Sequence, residues 1–359
     1  MTEVLELLRC VLWRHKYSGT LSAIDFMQVM SIADKQTVLG LVFEALKDRR
    51  LEGITDKKPI FEGMSKAEKI KRQNHLLNKD LVGFVNKCDQ LEIGYLVVKG
   101  QTIGCLYPKP ELRQPGDIDF LFPVESDYET QRAKMAQIFP KTQLPEKMLE
   151  GEVGFKHNGI IYELHTSLRG WAKKKHQKIW DDLMEQEWKE LHYVEIGGVK
   201  VRTLSPTMNA AYVFIHLFFH FIREGVSLRQ MCDWAIVLFH YEKEIDRERL
   251  MKILIDLDML DAYRAFGVLL VDDIGLESQL FPFQLGEEDR VWRKFIIGDI
   301  IRGGNFGMLH HKSSGSWKYK METMRIAIRN SFKYYKLCPS EVGGMIPRLV
   351  KGNLRLLFS

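Results

Sequence analysis

The stretch that decides the fold reads Val98-Lys99-Gly100-Gln101-Thr102, then Tyr107-Pro108, then Arg113-Gln114-Pro115-Gly116-Asp117-Ile118-Asp119-Phe120-Leu121-Phe122. Its last six residues begin by alternating acid with apolar, as a β-strand does when successive side chains point to opposite faces. Asp117 and Asp119 then share one face, roughly 6 to 7 Å apart along the strand, and Ile118, Phe120 and Phe122 share the other. Two carboxylates facing one space repel each other unless a cation stands between them. A hard divalent ion such as Mg²⁺, held by one or two carboxylates together with phosphate oxygens, meets that need. A solvated edge strand, or a turn capped by Asp117, fits the same three residues.

Upstream, the strand ending at Lys99-Gly100 leads into a helical start. Glycine permits close backbone approach, a helix N-terminus offers free N–H groups, and Lys99 adds positive charge, so the three together can cradle a phosphate. An ordinary surface lysine is the alternative for Lys99. Downstream, Ile160-Ile161-Tyr162-Glu163-Leu164-His165 alternates in the same way, and Glu163 and His165 share a face. Glu163 could complete a metal site and take the proton of an attacking hydroxyl, or it could pair with a cation across the sheet. His165 could orient Glu163 or bond a ligand. Arg113, in a loop rich in Pro and Gly, could grip a phosphate bidentately or simply be exposed.

Working outward, Leu5, Leu8 and Leu12 fall at helical spacing, and Ile24 to Leu46 is a second helical stretch. A polar break, EGITDKKPIFEG, follows, and then a long helix with Leu77, Leu81, Phe84, Val85, Cys88 and Leu91 on one face. From Tyr95 to Arg202 short β-type runs alternate with helices at Ser126 to Ile138 and His176 to Lys189. Turns at His157-Asn158-Gly159 and Gly197-Gly198 predict hairpins. After Ser205-Pro206 the pattern is helical again: Thr207 to Arg223, Ser227 to His240, Asp246 to Ile255, Val291 to Arg302 and Glu322 to Lys336. The expected class is α+β, a mixed-sheet core flanked by helices. Its expected segments are an N-terminal helical region over 1–93, an α+β core over 94–204 and a C-terminal helical domain over 205–359.

At 359 residues the chain is long enough for two or three domains, and 45% hydrophobic with 28% charged residues describes a folded, soluble protein. The longest apolar stretch, Ala210 to Ile222, is interrupted by His216 and His220 and is too short to span a bilayer. Glu3 and Glu6 stand where a secretory signal carries basic residues. Five scattered cysteines without a CxxC pair suggest neither a disulfide framework nor a zinc module. These features point to the cytoplasm. A net charge of +5 suits an anionic substrate but is weak for a dedicated nucleic-acid binder.

The order of these features resembles the polymerase-β-like nucleotidyltransferases: glycine after a strand, DxD among apolar residues, then a carboxylate on a later strand. More narrowly, lysine-glycine, tyrosine-proline, arginine, glycine-aspartate-x-aspartate and a downstream glutamate-leucine-histidine resemble the group called uncharacterised nucleotidyltransferases. The motifs lie between Val98 and His165. The resemblance implies that Asp117, Asp119 and Glu163 are the catalytic, metal-binding acids for Mg²⁺ or Mn²⁺. It further implies that Gly100 and Gln101 occupy the turn that holds an NTP's phosphates. Gln101 replaces the usual small residue there, and 15 residues separate it from Asp117, so Thr102 could supply the hydroxyl instead. The implied reaction transfers an NMP from the NTP to an acceptor hydroxyl with release of pyrophosphate. The acceptor is expected to be a small molecule rather than a protein or RNA. A catalytically inactive nucleotide-binding module and a phosphohydrolase using the same acids are the alternatives.

In the helical part His216 and His220 are four apart on one face, without the glutamate of a zinc protease motif. Arg229 and Asp233 are also four apart and could form an ion pair, and the resemblance implies that this helix pair closes over the nucleotide. The glycines of Arg302-Gly303-Gly304-Asn305-Phe306-Gly307 could form a flexible loop or end a helix. Lys173-Lys174-Lys175 could touch a polyanion or be solvated.

Overall fold

A computed structural model describes residues 1–15, 22–46, 57–123, 127–146, 151–165, 167–168, 170–305 and 316–344. Three helices, α1 (Thr2–Leu12), α2 (Ala23–Lys35) and α3 (Leu39–Leu46), precede the long α4 (Lys58–Gln90). The break expected over EGITDKKPIFEG is shorter than the sequence suggested. Its residues 52–56 lie outside the described residues, but α4 begins at Lys58 because Pro59 in a first turn has no N–H to satisfy and carries a helical φ.

The centre runs β1 (Leu96–Val98), a short helix α5 (Gly100–Gly104), β2 (Ile118–Leu121), α6 (Tyr128–Ile138), β3 (Glu152–His157), β4 (Ile160–His165), α7 (Lys174–Lys189), β5 (His192–Ile196) and β6 (Val199–Thr203). The four-stranded sheet has the order β1-β2-β4-β3, and β2 pairs with β4 in parallel while the two outer pairs are antiparallel. β5 and β6 form a separate hairpin. Both expected hairpin turns form, and each places two consecutive residues at positive φ: 49° and 84° at Asn158-Gly159, 58° and 81° at Gly197-Gly198. That geometry matches the strand twist and favours Asn and Gly. The α+β class with a small mixed sheet is what the chain adopts.

The two faces of the sheet differ as the alternation requires. Ile118, Phe120 and Phe122 enter an apolar cluster with Tyr162 and Leu164 of β4, the Leu77 to Cys88 face of α4, and Met135 and Ile138 of α6. The other face carries Val98 and Leu121 into a second, larger cluster, and between them it carries Asp119, Glu163 and His165.

That second cluster is built by α1 to α3 together with α8 (Pro206–Arg223), α9 (Leu228–His240), α10 (Arg247–Asp256), α11 (Leu260–Leu269) and, after the short α12 (Glu287–Arg290), α13 (Arg293–Gly303). A further helix, α14 (Ser316–Tyr334), packs on α8, where Asn330 donates to the Phe221 carbonyl. α11 and α12 lie between the helices read from the sequence. N-terminal and C-terminal helices are also tied directly: Trp13 donates to the Ile274 carbonyl at 2.9 Å and Arg9 to that of Asp272 at 2.7 Å. Caps start the helices where the sequence put them. Ser205 accepts from Met208 N–H at the head of α8, and Ser227 and Gln230 form a capping box on α9. α8 is buried on nearly every side, as an all-round apolar helix must be. Its partly open positions, apart from Arg223 at its end, are His216 and His220. None of the described helices is long and apolar enough to cross a membrane.

Candidate functional site

A cavity of about 250 Å³ lies between the polar face of the sheet and helices α8 and α9. Its sheet side is fixed by register. Asp119 on β2 is paired with Val98 on β1 and with Glu163 on β4, so the two carboxylates emerge side by side. His165, two residues beyond Glu163, emerges on the same face. Asp117 precedes the strand and lines the same cavity. Among the described residues, Asp119, Glu163 and His165 each offer a ligand atom, and these atoms lie within 4.8 Å of one another.

Asp119 is 3% exposed and heavily engaged: its Oδ1 receives Lys99 Nζ at 2.7 Å and His165 Nε2–H at 2.7 Å. Burial opposes its ionisation, but Lys99 and His165 outweigh burial and hold its carboxyl well below the usual range. Glu163 has no such close pairing: Lys99 acts on it only at a distance and His165 Nε2 lies 3.9 Å away. Burial, then the negative charges of Asp117 and Asp119, push its carboxyl up to about 8. Asp117 is also raised, by burial and by Asp119.

A backbone constraint holds Lys99 over Asp119. Lys99 sits at φ 55°, ψ −146°, a region that suits glycine and costs other residues on the order of 1 to 3 kcal/mol. Gly100 follows at φ 40°, and a Cβ there would lie 3.1 Å from the Asp117 carbonyl oxygen. The β1–α5 turn therefore packs directly against the backbone of the acidic pair.

The description of a family termed "Uncharacterised nucleotidyltransferase" matches the chain over residues 22–272. The chain belongs to this uncharacterised nucleotidyltransferase family. It is similar to the crystal structure of an antigenic nucleotidyltransferase-like protein from Paracoccidioides brasiliensis, with 15% identity, a TM-score of 0.34, and coverage of 63% of this chain and 98% of that one. None of the curated proteins matches it.

In this family member the residues singled out in the sequence separate into two groups. Asp117, Asp119, Glu163, Lys99, Gly100 and Arg113 line one cavity. Gln101 and Thr102 do not. The Gln101 amide turns to α4, where it donates to Asn78 and Asn74, and the Thr102 hydroxyl donates to the Lys99 carbonyl at 2.8 Å.

Arg113 is the second departure. Instead of an open loop position it is 2% exposed, with Nε and Nη2 donating to the two oxygens of Asp233 at 2.7 and 2.8 Å. Tyr107 donates to the same carboxylate at 2.7 Å. Asp233 is therefore committed to Arg113 and not to Arg229, the partner that helical spacing suggested. Burial opposes the charge on Asp233, and Arg113 more than restores it. The tyrosine-proline and arginine elements of the motif thus lock the loop before β2 onto α9.

His216, His220, Arg229 and Gln230 complete the helical wall, and Glu152, 56% exposed, reaches within 3.7 Å of His165 Nδ1. Glu152 gave no signal in the sequence, because a solvated glutamate at a strand start is commonplace. His216 and His220 did: they are the polar interruptions of the longest apolar run.

Proposed function

We propose that the chain is a divalent-metal-dependent nucleotidyltransferase of the polymerase-β-like superfamily, moving an NMP from an NTP to an acceptor hydroxyl and releasing pyrophosphate. The observation that carries this reading is the in-register pairing of Asp119 with Glu163, beside Asp117 and His165, in one cavity. The donor set fits a divalent ion: two carboxylates and an imidazole converge within 4.8 Å, and Asp117 stands in the same cavity. Mg²⁺ or Mn²⁺ bound there would neutralise phosphate charge and polarise the α-phosphate.

The chain's own residues supply position and a proton acceptor. Asp119, Glu163 and Asp117 hold the acidic face rigidly, because Asp119 and Glu163 sit on paired strands and Asp117 is buttressed by Gly100. Gly100 leaves room for close backbone approach by the phosphates. In the transfer, the acceptor oxygen forms a bond to the α-phosphorus, the bond from that phosphorus to the bridging oxygen breaks, and pyrophosphate leaves with the electron pair. The hydroxyl proton passes to the Glu163 carboxylate, the form that a divalent ion bound there would favour against burial and the charges of Asp117 and Asp119, which on their own favour the protonated acid. A small-molecule acceptor suits the mild net charge of +5 better than RNA.

The non-catalytic reading draws on one observation: Asp119 Oδ1 is already satisfied by both Lys99 and His165. The test incubates the protein with each of the four α-labelled NTPs and Mg²⁺ or Mn²⁺ over a pool of hydroxyl acceptors, beside Asp119→Asn. A labelled adduct with pyrophosphate release, lost in the variant, supports transfer. Binding that survives Asp119→Asn without turnover assigns a binding module, and free NMP without adduct assigns a phosphohydrolase.

A further inference from the structure

The cavity holds three strong cations, and two have partners: Lys99 is paired with Asp119, and Arg113 with Asp233. The third, Arg229 in the first turn of α9, has no ion pair or hydrogen bond among the described residues, and its Nε is buried without an acceptor. Burial and the neighbouring Arg113 charge both disfavour its ionised form. A guanidinium remains charged in any accessible pH range, so the fold carries on the cavity wall a cation that Asp117 and Asp233 offset only from a distance, with no direct partner among the described residues.

We infer that Arg229 is the anchor for the terminal phosphates of the substrate's triphosphate. The inference rests on the reading of the cavity as a nucleotide site and adds the residue that holds the leaving pyrophosphate. Three facts point to a phosphate tail. The planar fork of an arginine matches phosphate oxygens bidentately. Arg229 lies in the first turn of a 13-residue helix, where the macrodipole adds positive potential. It lies across the cavity from the acidic face, so one phosphate chain could be held at its α end by the acids' metal and at its outer end by Arg229. Asp233, the nearest carboxylate on its own helix, acts on Arg229 through its charge but makes no direct bond to it, because both its oxygens are held by Arg113 and Tyr107.

The test uses sodium tripolyphosphate, pyrophosphate and phosphate as probes, titrated calorimetrically in EDTA into the wild type, Arg229→Gln, Arg229→Lys and Asp119→Asn. The four NTPs with Mg²⁺ are titrated in parallel. Tripolyphosphate is expected to bind the wild type more tightly than phosphate, to bind Arg229→Gln at least tenfold more weakly, and to bind Arg229→Lys with intermediate affinity. Arg229→Gln is also expected to melt higher than the wild type without ligand, because it removes an unpaired cation. A purely structural arginine would give the opposite shift. Equal binding of tripolyphosphate to the wild type and Arg229→Gln, no binding to the wild type, or a variant that fails to fold overturns the inference. Tripolyphosphate binding that depends on Arg229 while no NTP binds through Asp119 leaves the inference standing and removes the nucleotidyl-transfer reading instead.

Discussion

Asp119 on β2 and Glu163 on β4 are direct neighbours on parallel strands, yet their carboxyl groups are pushed in opposite directions: Lys99 and His165 hold Asp119 well below the usual range, while burial and the charges of Asp117 and Asp119 push Glu163 up to about 8. The difference comes from the neighbours, since Lys99 is in direct contact with Asp119 and acts on Glu163 only from further away.

The Lys99–Asp119 pair is nearly closed to water, with 14% and 3% of the side chains exposed. Asp119→Ala therefore leaves a buried ammonium without its carboxylate and is expected to lower stability by about 3 kcal/mol. Lys99→Met in the same background should restore most of that loss, because removing both charges avoids an unpaired one. Urea denaturation in EDTA compares the two. A double variant as unstable as Asp119→Ala would show that the pair does not set the cost.

Glu163 makes stability depend on pH with a definite sign. Its folded value of about 8 lies above the unfolded value near 4.5, so between those limits the folded state binds more protons than the unfolded state. Stability contributed at this site is full below about pH 4.5, falls as pH rises, and reaches its floor above about 8. Glu163→Gln, which cannot ionise, should melt above the wild type at pH 8.5 without metal, with the difference vanishing near pH 5. Scanning calorimetry across that range checks it, and a gap independent of pH would contradict it.

The sequence displayed much of this. The alternation around Asp117 to Phe122 showed which side chains face the apolar cluster and which face the cavity, because a strand offers only two sides. It placed Asp117 inside the strand, whereas pairing begins at Ile118. What it could not show is partnership over long separations. Arg113 and Asp233 are 120 residues apart, and nothing local distinguishes a clamped arginine from a solvated one. Helical spacing offered Arg229 as the partner of Asp233, and the tertiary fold gave the place to Arg113. Gln101 is similar: its family position suggested phosphate, but the neighbouring α4 presents two asparagines that take up its amide.

His165 bears on metal choice. A set of two carboxylates and an imidazole favours Mn²⁺ over Mg²⁺, which prefers an all-oxygen shell. The expected thermal shift is thus larger with Mn²⁺ than with Mg²⁺ at equal concentration, and His165→Ala should bring the two together by weakening Mn²⁺. Equal shifts in the wild type would show that the imidazole is not a ligand.

The Arg113–Asp233 clamp joins the loop that leads into β2 to helix α9, so it fixes the acidic pair relative to the helical wall. Both side chains are under 10% exposed, and the contact is bidentate. Asp233→Ala strands Arg113 beside Arg229, two cations with no carboxylate between them, and is expected to cost about 3 to 5 kcal/mol. Arg113→Lys should also destabilise, because an ammonium cannot replace the fork. The paired change Arg113→Met with Asp233→Leu removes both charges at similar volume and should recover most of the loss, giving a coupling energy on the order of 3 kcal/mol in a double-mutant cycle. If the clamp also sets the geometry of the site, the recovered double variant will fold as well as the wild type and still bind metal more weakly, because Asp117 is no longer fixed through the loop. Full recovery of metal affinity would instead confine the clamp to stability and leave the placement of the acids to the sheet alone.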